Sequence, residues 1–302
     1  MSTENLPVSA PSRPLLPAWL RAMRPKQWVK NILVFAAPLA AGRLFEPAIA
    51  VASLWAFAAF ALMSASIYLF NDIRDVEADR LHPRKRLRPI AAGELSIPTA
   101  YILAAICVAA SLAVGFWVSP ALGVTLVVYL LLQVGYSLFW KHQPIIDLAM
   151  VAAGFLLRAI AGGVASGIAL SQWFLLVASF GSLFMVAGKR YSELRDLGSD
   201  AGTRASLERY TDTYLRLVWS VSSGVVIMAY SLWAFDAGRP PQLWGVPWTA
   251  ISIAPFTLAI LRYAMKIDQG DAGEPEDIVM SDRMLQVLAV LWVVPVGIAV
   301  FG

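Results

Sequence analysis

The sequence predicts an all-α, polytopic membrane protein of nine transmembrane helices, and three observations carry that reading. Hydrophobic residues make up 59% of the 302 and charged residues only 15%, whereas soluble domains carry roughly 25% charged residues. Long runs lack any formal charge: Pro47–Phe70 for 24 residues and Leu95–Trp140 for 46. The second run is long enough for two crossings at ~20 residues each. The alternating ten-residue segments of a transmembrane barrel are absent.

The apolar segments follow in order. The first, 28–42, is short and begins amphipathically, ending at the Gly42–Pro47 connection. The second, 47–70, ends where a charged stretch begins at Asn71. Segments 97–118 and 120–140 divide the long uncharged run at Ser119–Pro120, and 145–166 follows the Gln143–Pro144 break. Segment 171–188 ends at a second charged stretch, and 214–235, 248–265 and 283–301 complete the nine. A Pro/Ser-rich tail over residues 1–18 is expected to be disordered, leaving 19–302 as one membrane domain.

Charge placement orients the chain. With the N-terminus cytoplasmic, 21 of the 24 Lys and Arg fall at cytoplasmic ends and loops, while Arg43 and Arg239 fall on the other side and Arg158 within the fifth segment. The positive-inside rule therefore predicts a cell-membrane protein with its charged loops facing the cytoplasm. The first 30 residues lack a signal-peptide core and cleavage pattern. One cysteine, Cys107, excludes an internal disulfide framework. His82 and His142 form no metal-binding helix pair. Nothing points to nucleic acid, and a homo-oligomer is left open.

The stretch NDIRDVEADRLHPRKRLRPIAAG, Asn71–Gly93, carries four acids and six bases. If the second helix continues through it, Asn71, Asp72, Asp75 and Asp79 share an arc of about 100°. Carboxylates crowded on one face repel unless a cation lies between them. An amide beside them suits Mg²⁺, a hard ion that takes one or two carboxylates plus substrate phosphates. Arg84, Lys85, Arg86 and Arg88 then suit phosphate oxygens. The competing reading is a solvated loop whose charges neutralise one another.

In the second stretch, GKRYSELRD, helical spacing places Lys189, Glu193 and Asp196 within about 60°. Elsewhere, Lys26 and Lys30 lie four apart on the first helix, with Gln27 and Asn31 beside them. They either clamp a phosphate or snorkel to headgroups. Arg158, about 20 Å into its helix, either serves the acceptor, braces helices or snorkels. Asp147 shares nearly the same face. The acidic run Asp268–Asp282 either closes over the site or is a solvated loop.

NDIRDVEAD resembles the first Asp-rich motif of the UbiA-type intramembrane transferases, and RPKQWVKN at Arg24–Asn31 resembles that family's entry into its first helix. The resemblance implies a nine-helix bundle around a cytoplasm-facing cavity where Mg²⁺ binds a diphosphate donor. On it, Asn71, Asp75 and Asp79 are the expected metal ligands, with Asp72, Asp75 and Asp79 as catalytic acids. Lys26, Lys30, Arg84, Lys85, Arg86, Arg158, Lys189, Arg190, Tyr191 and Glu193 are the expected substrate contacts. Where many members carry a second Asp-rich motif, this chain has Lys189, Arg190 and Tyr191, with Glu193 and Asp196 as the remaining acids.

More cations and fewer acids suit more phosphate, since a phosphomonoester carries about −1.5 to −2. The tally favours phosphoribosyl diphosphate as donor and a polyprenyl phosphate as acceptor. The strings FGSLFMVAGKRYSEL and GEPED, with the two above, are similar to a phosphoribosyl-transferring branch of the superfamily, which begins synthesis of a lipid-linked arabinose donor for the cell wall. The alternatives are transfer of a prenyl chain onto an aromatic ring, and a transporter or scaffold without catalysis.

Overall fold

The computed structural model describes residues 16–197, 209–237, 243–270 and 275–301. Nearly all of the expected tail over 1–18 lies outside them, and Ala18 already opens the first helix, α1 (Ala18–Ala22). An 11-residue 3₁₀ helix, Pro25–Phe35, runs directly into α2 (Ala36–Ala40). There follow α3 (Pro47–Arg74), α4 (Val76–Leu81), α5 (Ile97–Val118) and α6 (Pro120–Gly135), the last closed by a π-helical turn, Tyr136–Trp140. Beyond it lie α7 (Ile146–Ser166), α8 (Gln172–Leu197), α9 (Asp212–Ala237), α10 (Trp248–Ile251), α11 (Ile253–Gln269), α12 (Pro275–Ser281) and α13 (Arg283–Phe301). No strand occurs among the described residues.

Among the described residues, eight helical stretches are long and apolar enough to cross a bilayer. They match eight of the nine expected segments; the first is different. Residues 28–42 fall in the 3₁₀ segment and α2 rather than in one α-helix. The tighter winding rises about 2.0 Å per residue, so these 16 helical residues cover about 30 Å, the thickness of a hydrocarbon core. An α-helix of that length would fall short at about 24 Å. The charged stretches also extend helices beyond their apolar parts: α8 continues nine residues past Gly188 to Leu197.

Local chemistry explains the helix ends. Ser96 and Ser119 precede Pro-started helices, and their hydroxyls accept from Thr99 N at 3.2 Å and Leu122 N at 3.0 Å, satisfying first-turn donors that lipid cannot. Ser119 also donates to the Val164 carbonyl at 3.0 Å, fastening α6 to α7. Gly270 ends α11 at φ +88°, a conformation open to glycine.

Between helices, small residues permit close approach. A Cβ at Gly162 on α7 would overlap the Val34 carbonyl of the 3₁₀ segment, and one at Gly188 would overlap the Ile267 side chain on α11. Three apolar clusters result. One joins α7, α8, α9 and α11 around Tyr191, Leu215 and Ile267; a second joins the 3₁₀ segment, α3, α6 and α7 around Val34, Phe60 and Leu126; a third joins α1, α3 and α5.

Candidate active site

A cavity of about 620 Å³ opens between the 3₁₀ segment and the start of α2, α3, the π-helical turn, α7 and α8. Its polar lining includes Lys30, Tyr68, Tyr136, Lys189 and Arg190, while Phe155, Phe174, Val177 and Val186 belong to its apolar wall. One compartment thus offers cations and a long hydrophobic surface together.

The Asp-rich stretch takes a bent course. α3 ends at Arg74, Asp75 adopts φ −93°, ψ 9°, and α4 begins at Val76. The chain keeps its helical hydrogen bonds across the bend, from Asp75 N to Asn71 O at 2.9 Å and from Asp79 N to Asp75 O at 2.8 Å. The shared face expected for one continuous helix is therefore only partly kept. Asp72 and Asp79 are buried and converge on a single guanidinium nitrogen: Arg88 Nη1 lies 3.1 Å from Asp72 Oδ1 and 2.6 Å from Asp79 Oδ2. Arg24 makes a close ion pair with the same Asp72 oxygen, Oδ1, and lies 5.0 Å over the Tyr68 ring. Asp75 is about half exposed, with Lys141 Nζ 3.5 Å away. Asn71 Oδ1 accepts from Ser137 Oγ at 2.6 Å.

Acids and bases of this stretch do therefore neutralise one another: Glu77 and Arg80 pair on the surface, as the solvated-loop reading expected, whereas Asp72 and Asp79 do so in a buried network. Arg24 is the partner that sequence spacing missed, because it approaches from 48 residues away. It stands in the quoted motif RPKQWVKN, which was the available signal. The π turn supplies the rest of the frame. Its extra residue per turn re-aims side chains, so that Tyr136, Ser137 and Lys141 reach Asp147, Asn71 and Asp75 respectively.

The basic residues separate into groups. Arg84 and Arg86 are exposed and Lys85 half-buried on the loop after α4. That loop is shaped by His82 Nδ1, which accepts from the backbone N of Arg84 and of Lys85 at 3.2 Å each. Lys26 and Lys30 do not share a face. In 3₁₀ winding, residues three apart are eclipsed and residues four apart diverge by about 120°. Lys30 lines the cavity and Lys26 is exposed.

Lys189 and Arg190 reach the cavity, but Arg190 is held by acids. Its Nε and Nη2 donate to Asp147 at 3.0 and 3.3 Å, and its Nη1 to Glu193 at 2.8 Å. Tyr191 points elsewhere: it is fully buried in the cluster against Trp219, with its hydroxyl accepting from Arg216 Nη2 at 2.8 Å. The side chain of Asp196 lies outside what the structure describes.

Asp147 itself follows a strained turn. Ile145 adopts φ 69°, ψ −52°, and Ile146 N bonds back to Pro144 O at 2.8 Å, a positive-φ γ-turn that is rare for a β-branched residue. Tyr210 locks it, its hydroxyl accepting from Ile145 N at 2.7 Å. Burial pushes the Tyr210 phenol up.

Arg158 is buried without a carboxylate. Its guanidinium donates to Asn31 Oδ1 (2.7 Å), Gly154 O (2.6 Å), Ser64 Oγ (3.2 Å) and Tyr129 Oη (2.8 Å). Of its three readings, snorkelling is overturned: the side chain turns inward and ties four elements together. In the acidic run, residues 271–274 are outside the described residues. Asp268 pairs with Arg216 at 3.1 Å. Asp282 accepts from Leu285 N at 3.0 Å and from Arg262 Nη2 at 2.7 Å, which holds its carboxyl below the usual carboxylate range.

No three Asp, Glu, His or Cys side chains gather to enclose a metal among the described residues. The donors present suit an ion of another kind: Mg²⁺ needs only one or two protein carboxylates and fills its shell with water and phosphate oxygens. The half-exposed Asp75 and the Asn71 amide fit that demand; Asp79, one turn on, is buried and already held by Arg88.

None of the Asp-rich residues lines the cavity itself; the network reaches it through Arg24, which pairs with Asp72 and lies over the cavity residue Tyr68. A multi-pass helical membrane protein with an Asp-rich polar network and an amphiphilic cavity is the class that fold and site define. The chain belongs to the UbiA prenyltransferase family, which matches over residues 32–294. It is 51% identical over 296 residues to a decaprenyl-phosphate phosphoribosyltransferase of Corynebacterium glutamicum, spanning 96% of this chain and 89% of that protein. A protein of the same name from Mycobacterium tuberculosis is 50% identical over 301 residues, 98% of each. Among solved structures, a UbiA homolog from Archaeoglobus fulgidus bound to GPP and Mg²⁺ superposes with a TM-score of 0.68 at 19% identity, covering 94% of this chain and 99% of that one. That likeness establishes the fold.

Proposed function

We propose that the chain is a Mg²⁺-dependent pentosyltransferase that moves 5-phosphoribose from phosphoribosyl diphosphate to a polyprenyl phosphate, releasing diphosphate. The observation that carries this reading is the cavity, where Lys30 and Lys189 share one compartment with an extended apolar wall. Two phosphorylated substrates, one with a lipid tail, need that combination. Relatives at about half identity, both named decaprenyl-phosphate phosphoribosyltransferase, support the same choice. The distribution of Lys and Arg supports a cell-membrane location with the N-terminus and the polar end cytoplasmic. Residues 19–302 then act as one domain.

Asn71, Asp75 and Asp79 would hold the Mg²⁺, and Asp72, paired through one oxygen with both Arg24 and Arg88, supports that group. When bound, the metal supplies charge stabilisation on the departing diphosphate. The chain's own cations do the gathering. Lys30 and Lys189 draw two anionic substrates into one cavity, and Arg84, Lys85 and Arg86 contact phosphate from the loop after α4. Arg190, balanced by Asp147 and Glu193, orients the wall rather than contributing net charge. The acceptor phosphate is already anionic, so no general base is required. Its oxygen bonds to ribose C1 as the bond from C1 to the diphosphate oxygen breaks, and that electron pair leaves with the diphosphate. Attack from the opposite face inverts C1. The apolar wall receives the lipid chain from the bilayer.

The test is direct. Purified full-length protein in nanodiscs receives Mg²⁺, labelled phosphoribosyl diphosphate and decaprenyl phosphate. Label passes into the organic phase if the reading holds. Consumption of an allylic diphosphate with an aromatic acceptor, and no labelled lipid, would identify a prenyltransferase instead.

A further inference from the structure

The 3₁₀ segment Pro25–Phe35 is a conformation without local support. Such winding rarely persists beyond three or four residues, because its hydrogen bonds are poorer than those of an α-helix. Here it runs for 11. Contacts with α7 and α3 must hold it.

Its period of three sorts the side chains into stripes. Lys30, Leu33 and Ala36, each three apart, all line the cavity. Asn31 and Val34, also three apart, are fully buried and meet α7. Asn31 Oδ1 accepts from Arg158 Nε at 2.7 Å and from Ser64 Oγ at 3.4 Å. The Val34 carbonyl rests against Gly162, which lies one α-helical turn beyond Arg158 on the same face of α7. A guanidinium has only donors, so the amide oxygen must face it, and the orientation of Asn31 is determined. Tyr129 and the Gly154 carbonyl fix the guanidinium in turn, at 2.8 and 2.6 Å.

The consequence falls on Lys30. Rewinding the six steps from Ala36 back to Lys30 to α geometry changes each step by about 20°, turning Lys30 away from the Ala36 face by about 120°. We infer that Arg158 is a positioning residue that acts through Asn31: the pair holds the 3₁₀ winding and thereby aims Lys30 into the cavity. The inference rests on the proposed role of Lys30 as a substrate contact.

A double-mutant cycle in the full-length protein tests it, reading KM for each phosphorylated substrate, kcat and thermal midpoint. Lys30→Ala raises one KM about tenfold, equivalent to losing one charge-assisted contact of about 1.4 kcal/mol. Asn31→Ala raises the same KM to a similar extent but adds nothing in the Lys30→Ala background. Asn31→Asp, which keeps the acceptor, stays near the parent value. Equal fold-changes for Asn31→Ala in both backgrounds overturn the inference while leaving the role of Lys30 intact. An unchanged KM for Lys30→Ala overturns that role instead. If Asn31→Ala does not fold, Arg158→Lys carries the same comparison, since it keeps the charge and loses the planar fork.

Discussion

Replacing Asp147 by Asn tests the buried network beneath the cavity. This carboxylate is fully enclosed and accepts from Tyr136 Oη at 2.7 Å, Arg190 Nε at 3.0 Å and Arg190 Nη2 at 3.3 Å. The amide is neutral, and its nitrogen would face a guanidinium that cannot accept. Orphaning a buried charge costs about 3–5 kcal/mol. Glu193 stays 2.8 Å from Arg190 Nη1 and offsets part of that loss, so about 2–3 kcal/mol is expected. For a chain of this size the thermal midpoint would fall by about 3–5 °C. Intrinsic tryptophan fluorescence on heating in nanodiscs measures it, with 11 tryptophans available as probes. The double variant with Arg190→Gln should recover part of the loss, because neither charge is then stranded. A midpoint within about 1 °C of the parent for Asp147→Asn would refute the assignment of a buried, charge-balanced network.

Asp75→Ala and Asp79→Ala should each remove most transfer activity, and excess Mg²⁺ should partly restore whichever variant keeps a usable shell; near-full turnover in either would count against the metal set. Gly162→Ala should lower the thermal midpoint markedly, since the added methyl would overlap the Val34 carbonyl, which is backbone, and crowd Pro38; an unperturbed midpoint would show that the 3₁₀ segment moves freely. The pH dependence at Asp282 has a definite sign. Its folded-state pKa is lowered by Arg262, so its contribution to stability is present above the ordinary carboxylate range and is lost as pH falls through the folded value. The acid limb of the midpoint against pH should therefore flatten in Asp282→Asn, and two superimposable profiles would rule that coupling out.

Composition, run length and charge placement were sufficient to read the helical membrane fold. The reason is that a bilayer imposes a simple rule on any crossing segment, about 20 apolar residues with internally satisfied backbone. The Asp-rich motif was legible only in part: helical spacing brings Asp72 and Asp79 together, but the bend at Asp75 leaves that residue apart, half exposed beside Lys141. Three things were decided only by tertiary contacts. The segment 28–42 reads as an ordinary amphipathic helix, yet packing of Asn31 and Val34 against α7 selects 3₁₀ winding and separates Lys26 from Lys30. The partners of the acids, Arg24 and Lys141, lie 48 and 66 residues distant from Asp72 and Asp75. Tyr191, adjacent to two cavity residues in sequence, turns about 100° from its neighbour on α8 and joins the core. Sequence spacing reports which residues share a face of one helix. Which way that face points, and what meets it there, depends on chain segments dozens of residues away.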